Sequence, residues 1–108
     1  MSLTAMKGMM GLCVRAGQAA FGEGACLTEI RKGNCGLLLL DGEISSRSEK
    51  KYLEACAGAG IMAAKLPAGF LEGATGRRGM AMAVRKGSFA ERIKIAAEAA
   101  EEIVIITA

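Results

Sequence analysis

Few residues in this sequence are equipped for chemistry. Its 108 residues include no histidine, and no serine or cysteine has an evident base partner, so the common catalytic triads are excluded. Asp41 and Glu43 flank Gly42 directly after an apolar run. Two carboxylates so placed can act as general acid and base, and they can equally accept backbone amides in a polar turn and cap the next helix. Cys13, Cys26, Cys35 and Cys56 contain no C-x-x-C pair. Without histidine the usual zinc sets cannot be assembled, so the expectation is no catalytic residues, no metal site, no cofactor, and four buried or half-buried free thiols. Cys26 stands out because it follows a glycine pair by two residues. That pair, Gly22-x-Gly24, precedes a helical pattern and resembles a phosphate cradle, since small residues allow close approach and a helix start presents unpaired N–H groups. It lacks the third glycine of a dinucleotide fingerprint and the Lys-Ser/Thr of a P-loop, and it serves just as well as an ordinary helix entrance.

The elements that must position these residues follow from periodicity. Leu3, Met6, Met9, Met10 and Cys13 recur at helical spacing after Ser2 and Thr4, which can cap, and Gly17 supplies a stop. Gln18 to Phe21 suits a short strand. A second helix runs from the glycine pair through Ala25, Cys26, Leu27 and Ile30 to Gly33. Leu37 to Leu40 reads as a central strand buried on both faces, and Asp41-Gly42 ends it. Ser45, Ser46 or Ser48 starts a third helix with Tyr52, Leu53 and Cys56 inward, stopped by Gly58 and Gly60. Ile61 to Leu66 is the next strand, ended by Pro67; Phe70, Leu71 and Ala74 suggest a short helix closed by Gly76, and Met80 to Val84 a further strand. Ser88 and Glu91 have capping-box spacing ahead of a last helix with Phe89, Ile93, Ala96, Ala97 and Ala100 inward. Ile103 to Ile106 is open between a longer helix, a strand and an exposed sticky edge.

Alternating strands and helices predict a single α/β domain over residues 1–108, a three-layer α/β/α sandwich around a mixed sheet of about four strands. With 52% hydrophobic residues, 4% aromatic and no Trp, its core must be Leu, Ile, Val, Met and Ala. The longest apolar run is too short to span a bilayer, and residues 2–17 lack the pattern of a secretory signal, so a cytoplasmic protein is expected. A net charge of +3 permits an anionic partner without demanding one.

Arg15-Ala16-Gly17-Gln18, Phe21-Gly22-Glu23-Gly24, Ile30-Arg31-Lys32-Gly33 and Leu37 to Leu40, in this order and spacing, resemble the kink-turn-binding ribosomal protein family of archaeal large-subunit protein seven-Ae and eukaryotic thirty-e. Within it the bacterial YlxQ-type branch is most similar, and Gly76 to Phe89 matches its G-R-R-G stretch. The resemblance implies an α/β/α sandwich that binds sharply bent RNA, ribosomal RNA included, through the start of its second helix, here Gly22, Glu23, Gly24 and Ala25. It also implies contacts from Asp41 to Ser45 and from an apolar loop at Leu66 and Pro67 that packs on unpaired bases. Arg31, Lys32, Lys65, Arg77 and Arg78 are the electrostatic candidates. The archaeal and eukaryotic motif G-x-N-E-x-x-K is replaced by Gly24, Ala25 and Thr28 at its Asn, Glu and Lys places, so the side chains that read paired guanines are missing. The expectation is a non-catalytic, translation-associated RNA-binding protein recognising shape and charge. The alternative is a protein-interaction or homo-oligomerisation module, joined through the C-terminal tail Ile103 to Ile106 or the Met-rich first helix.

Overall fold

A computed structural model describes residues 3–106. In chain order the elements are α1 (Leu3–Arg15), β1 (Ala19–Phe21), α2 (Glu23–Arg31), β2 (Cys35–Asp41), α3 (Ser46–Ala59), β3 (Ala63–Leu66), α4 (Phe70–Thr75), β4 (Ala81–Arg85), α5 (Ser88–Ala99) and β5 (Val104–Ile106). The strands form one sheet in the order β1-β4-β2-β3-β5. β2 and β3 are parallel, with Leu38 opposite Ala63, and all other neighbours are antiparallel.

The period of two in β2 distributes its leucines between two cores. Leu37 and Leu39 join Met6, Met10, Met82, Val84, Ile93 and Leu71 under α1, α4 and α5. Leu38 and Leu40 join Cys26, Ile30, Tyr52 and Cys56 under α2 and α3. On that second face the neighbouring strands contribute Ala63, Ala81 and Ala83, small side chains that let α2 and α3 approach the sheet closely. The arrangement is the expected three-layer sandwich.

Three details differ from the sequence reading. The sheet has five strands rather than about four, because Ile103 anchors in the core and the next three residues pair with β3, Val104 opposite Lys65 and Ile106 opposite Ala63. β3 begins at Ala63, since Ile61 N–H donates to the Cys56 carbonyl as part of the turn that closes α3. The capping box at Ser88 does not form: the cap position is Gly87, which has no side-chain oxygen, and Ser88 sits one residue too late. α3 is capped conventionally, with Ser45 Oγ accepting from Ser48 N–H at 3.2 Å. Ser2 lies outside the described residues.

Candidate functional site

β1, β2 and β3 all finish at the edge of the sheet where β4 starts: Phe21 lies opposite Met82, Leu40 opposite Ala81, and Asp41 opposite Leu66. The segments 22–25, 42–45, 67–69 and 76–80 therefore share one end of the molecule.

At the first of these, Gly22 holds φ 90° and ψ 156° as the N-cap of α2, a conformation an L side chain rarely adopts. It has no side chain to turn back on the helix, and its carbonyl accepts from Cys26 N–H at 2.9 Å. Gly22, Glu23, Gly24 and Ala25 are all exposed, so the N–H groups of the first turn face outward, where a helix start favours an anionic partner. Glu23 reaches Lys51 on α3 at 3.4 Å, a surface pair worth little by itself.

The second and third segments are fastened together by Asp41. Only 2% exposed, its Oδ1 accepts from Glu43 N–H at 2.9 Å and its Oδ2 from Gly69 N–H at 3.0 Å. The carboxylate is engaged by backbone amides, so Asp41 organises the turn rather than forming a paired acid site with the exposed Glu43. Leu66 is 2% exposed with its side chain in the core, which corrects its assignment as a surface contact; the outward apolar surface here comes from half-buried Pro67 and exposed Ala68. Lys65 points to the α3 side, where its Nζ lies 2.6 Å from Glu49 Oε1, so its charge is already compensated.

In the fourth segment the Arg77 guanidinium lies 4.6 Å from the centre of the Phe21 ring, a cation–π contact next to Gly22. Arg77 N–H donates to Thr75 Oγ1 at 3.1 Å, and that hydroxyl donates to the Leu71 carbonyl at 2.7 Å, which sets the start of the turn. Arg78 is exposed beside it. Sequence reasoning missed Phe21 as the support of Arg77; an aromatic directly before the glycine pair, in a chain with 4% aromatics, was the available signal.

Two candidates are not brought to this end. Arg31 is the last residue of α2 and Lys32 its C-cap, and nine helical residues put them about 13 Å along the axis from the helix start. They sit where β4 finishes, with Asn34 accepting from Lys86 N–H at 2.8 Å.

The thiols are unsuited to nucleophilic chemistry. All four cysteines are buried; Cys26 Sγ donates to the Ala20 carbonyl at 3.4 Å, and burial pushes its pKa up to about 11. Among the described residues no group of three or more Cys, Asp or Glu is arranged to hold a metal ion, and no helix is long and apolar enough to cross a membrane.

No known protein family and no curated protein matches the chain. Among solved structures it is similar to a protein of unknown function from Bacillus halodurans C, with a TM-score of 0.74 and 22% identity over 83% of this chain and 93% of that one. The fold is therefore shared with a known structure, and the likeness extends to the fold alone.

Proposed function

We propose that this chain is a non-catalytic, cytoplasmic RNA-binding protein of the translation apparatus that receives structured RNA at the end carrying Gly22 to Ala25. The observation that carries the reading is the exposed, glycine-bearing entrance of α2, whose one charged side chain, Glu23, is paired with Lys51, flanked by Arg77 on its Phe21 support. Across the same end stands the loop 67–69, braced by Asp41. Outward helix amides suit phosphate or base edges, an arginine supplies attraction, and a braced loop bearing Pro67 and Ala68 can cover unpaired bases. Because Gly24, Ala25 and Thr28 offer neither amide, carboxylate nor ammonium, recognition is by shape and charge.

Calorimetric titration with a kink-turn RNA and an unbent duplex, each at two salt concentrations, tests this. The expected result is binding of both at low salt, tighter for the bent RNA, weakening as salt rises, with Arg77→Glu/Arg78→Glu weakening both. Absence of binding to either RNA at low salt rejects the reading.

One observation favours a second reading, self-association: β5 is an edge strand whose Val104 is 58% exposed, and its outer backbone is free to pair. Light scattering on the chain and on Val104→Lys decides it. A mass that rises with concentration in the first and not in the second supports pairing through β5, whereas a constant monomer mass in both rejects it.

A further inference from the structure

Six of the 14 cations of this chain gather towards the end opposite Gly22. Arg15 closes α1, Arg31 and Lys32 close α2, Arg85 and Lys86 follow one another out of β4, and Lys94 lies on α5 beside a cleft of about 370 Å³ that Lys86, Gly33 and Gly60 also line. The backbone ties these element ends together, with Arg85 N–H donating to the Gln18 carbonyl at 3.0 Å and Lys86 N–H to the Asn34 carbonyl at 2.8 Å. Nearby carboxylates are few among the described residues: Glu29 is spent on Arg85 at 3.4 Å, Glu91 lines the cleft, and Glu54 shares a groove with Arg31. No ion pair among the described residues engages Arg15, Arg31, Lys32, Lys86 or Lys94. At the Gly22 end Lys51 and Lys65 are each paired with a glutamate, while Arg77 and Arg78 are in no ion pair among the described residues.

Helix stabilisation accounts for part of this pattern. Cations at the C-termini of α1 and α2 complement the helix dipoles. The same principle makes Lys86 unfavourable, because it stands directly before the N-terminus of α5, whose cap Gly87 has no side-chain acceptor and whose only acidic residue in the first turn is Glu91. Uncompensated cations around an open helix start are relieved by an anion. Among the described residues the exposed large apolar side chains nearest these cations in the chain are Leu12 and Ile95, and the exposed positions between the cations include the glycines at 17, 33, 60 and 87. Polar backbone rimmed by free lysine and arginine suits a phosphodiester chain.

We infer that this basic end is a second nucleic-acid surface, which holds the phosphate backbone of an RNA segment without reading its sequence. β2 alone spans about 23 Å between the two ends, in a molecule 30 × 26 × 24 Å across. One copy of the chain can therefore touch two RNA segments on opposite sides. The bridging role rests on the function proposed above; phosphate binding at the basic end does not.

Lys32 and Lys86 are exposed, so charge reversal there spares the core. The experiment compares wild type, Lys32→Glu/Lys86→Glu, the milder Lys32→Ala/Lys86→Ala, and Arg77→Glu/Arg78→Glu. Unbent RNA duplex is titrated across a salt series, and energy transfer between donor-labelled and acceptor-labelled duplexes reports bridging. Both basic-end variants are expected to lower the slope of log affinity against log salt by about 2, one per lysine, and to abolish energy transfer. An unchanged slope and undiminished transfer in both overturns the second surface while leaving the Gly22 reading standing. Loss of duplex binding in the basic-end variants, with full binding in Arg77→Glu/Arg78→Glu, supports the second surface and removes the first. No duplex binding by wild type at low salt overturns both.

Discussion

A methyl group added at Gly42 would stand 2.7 Å from the Leu66 carbonyl oxygen and 2.9 Å from the Ala68 amide nitrogen, closer than real side chains approach backbone. At Gly24 the same methyl would meet nothing within 4 Å. The two glycines therefore answer to different demands. Gly42→Ala is expected to destabilise the fold by about 1–3 kcal/mol, the range for overpacking a rigid contact. Gly24→Ala, inside α2, is expected to stabilise it by about 0.5–1 kcal/mol and to weaken RNA binding by standing where the phosphate backbone must approach. Thermal melts and RNA titrations of the two variants check this; a Gly24→Ala protein that binds as wild type would show that close approach is not required there. Gly24 was visible in the sequence because its partner Gly22 lies two residues away. Gly42 was visible only as part of a turn, since the atoms that constrain it belong to residues 66 and 68.

Elements were legible where one stretch of chain controls its own burial. The helical spacing of α1 and the uniform apolar run of β2 are legible because each depends on neighbours a few residues apart, and of the three serines that could start α3 the structure uses Ser45. The start of α5 was misread because a capping box needs its serine outside the helix, and Gly87 took that place. β5 stayed undecided because three β-branched residues become a strand only when an edge is available to receive them, and β3 provides it. The layer formed by α2, α3 and the sheet also carries a measurable consequence of its burial. Cys26 is pushed up to about 11, Cys56 and Tyr52 to about 12, in each case first by loss of water. Raised pKa values mean that above pH 9, the ordinary value for these thiols, the unfolded chain gives up protons the folded chain keeps. Stability is therefore expected to be insensitive to these groups up to about pH 8 and to fall from about pH 9 towards 11. Melting temperatures across that range test this, and Cys56→Ala should flatten the decline; a melting temperature constant up to pH 11 would contradict it.

At the scale of the whole molecule, the net charge of +3 conceals a division between two ends. Free cations gather where α1 and α2 close and α5 opens, while on the Gly22 side Lys51 and Lys65 are neutralised by Glu23 and Glu49 and Arg77 and Arg78 are in no ion pair among the described residues. Arg31 and Lys32 illustrate the point: beside the glycine pair in sequence, they are separated from it in space by the length of α2. Taken alone, the sequence determined the order of helices and strands, the two-sided burial of the central leucines and the absence of histidine chemistry, because residue type and periodicity act locally. Only the tertiary structure decided which loops share an end, that Leu66 turns inward while Arg77 rests on Phe21, and which cations lie unpaired together. Those outcomes depend on strand order and direction across the sheet, which bring together residues that no short spacing in the chain connects.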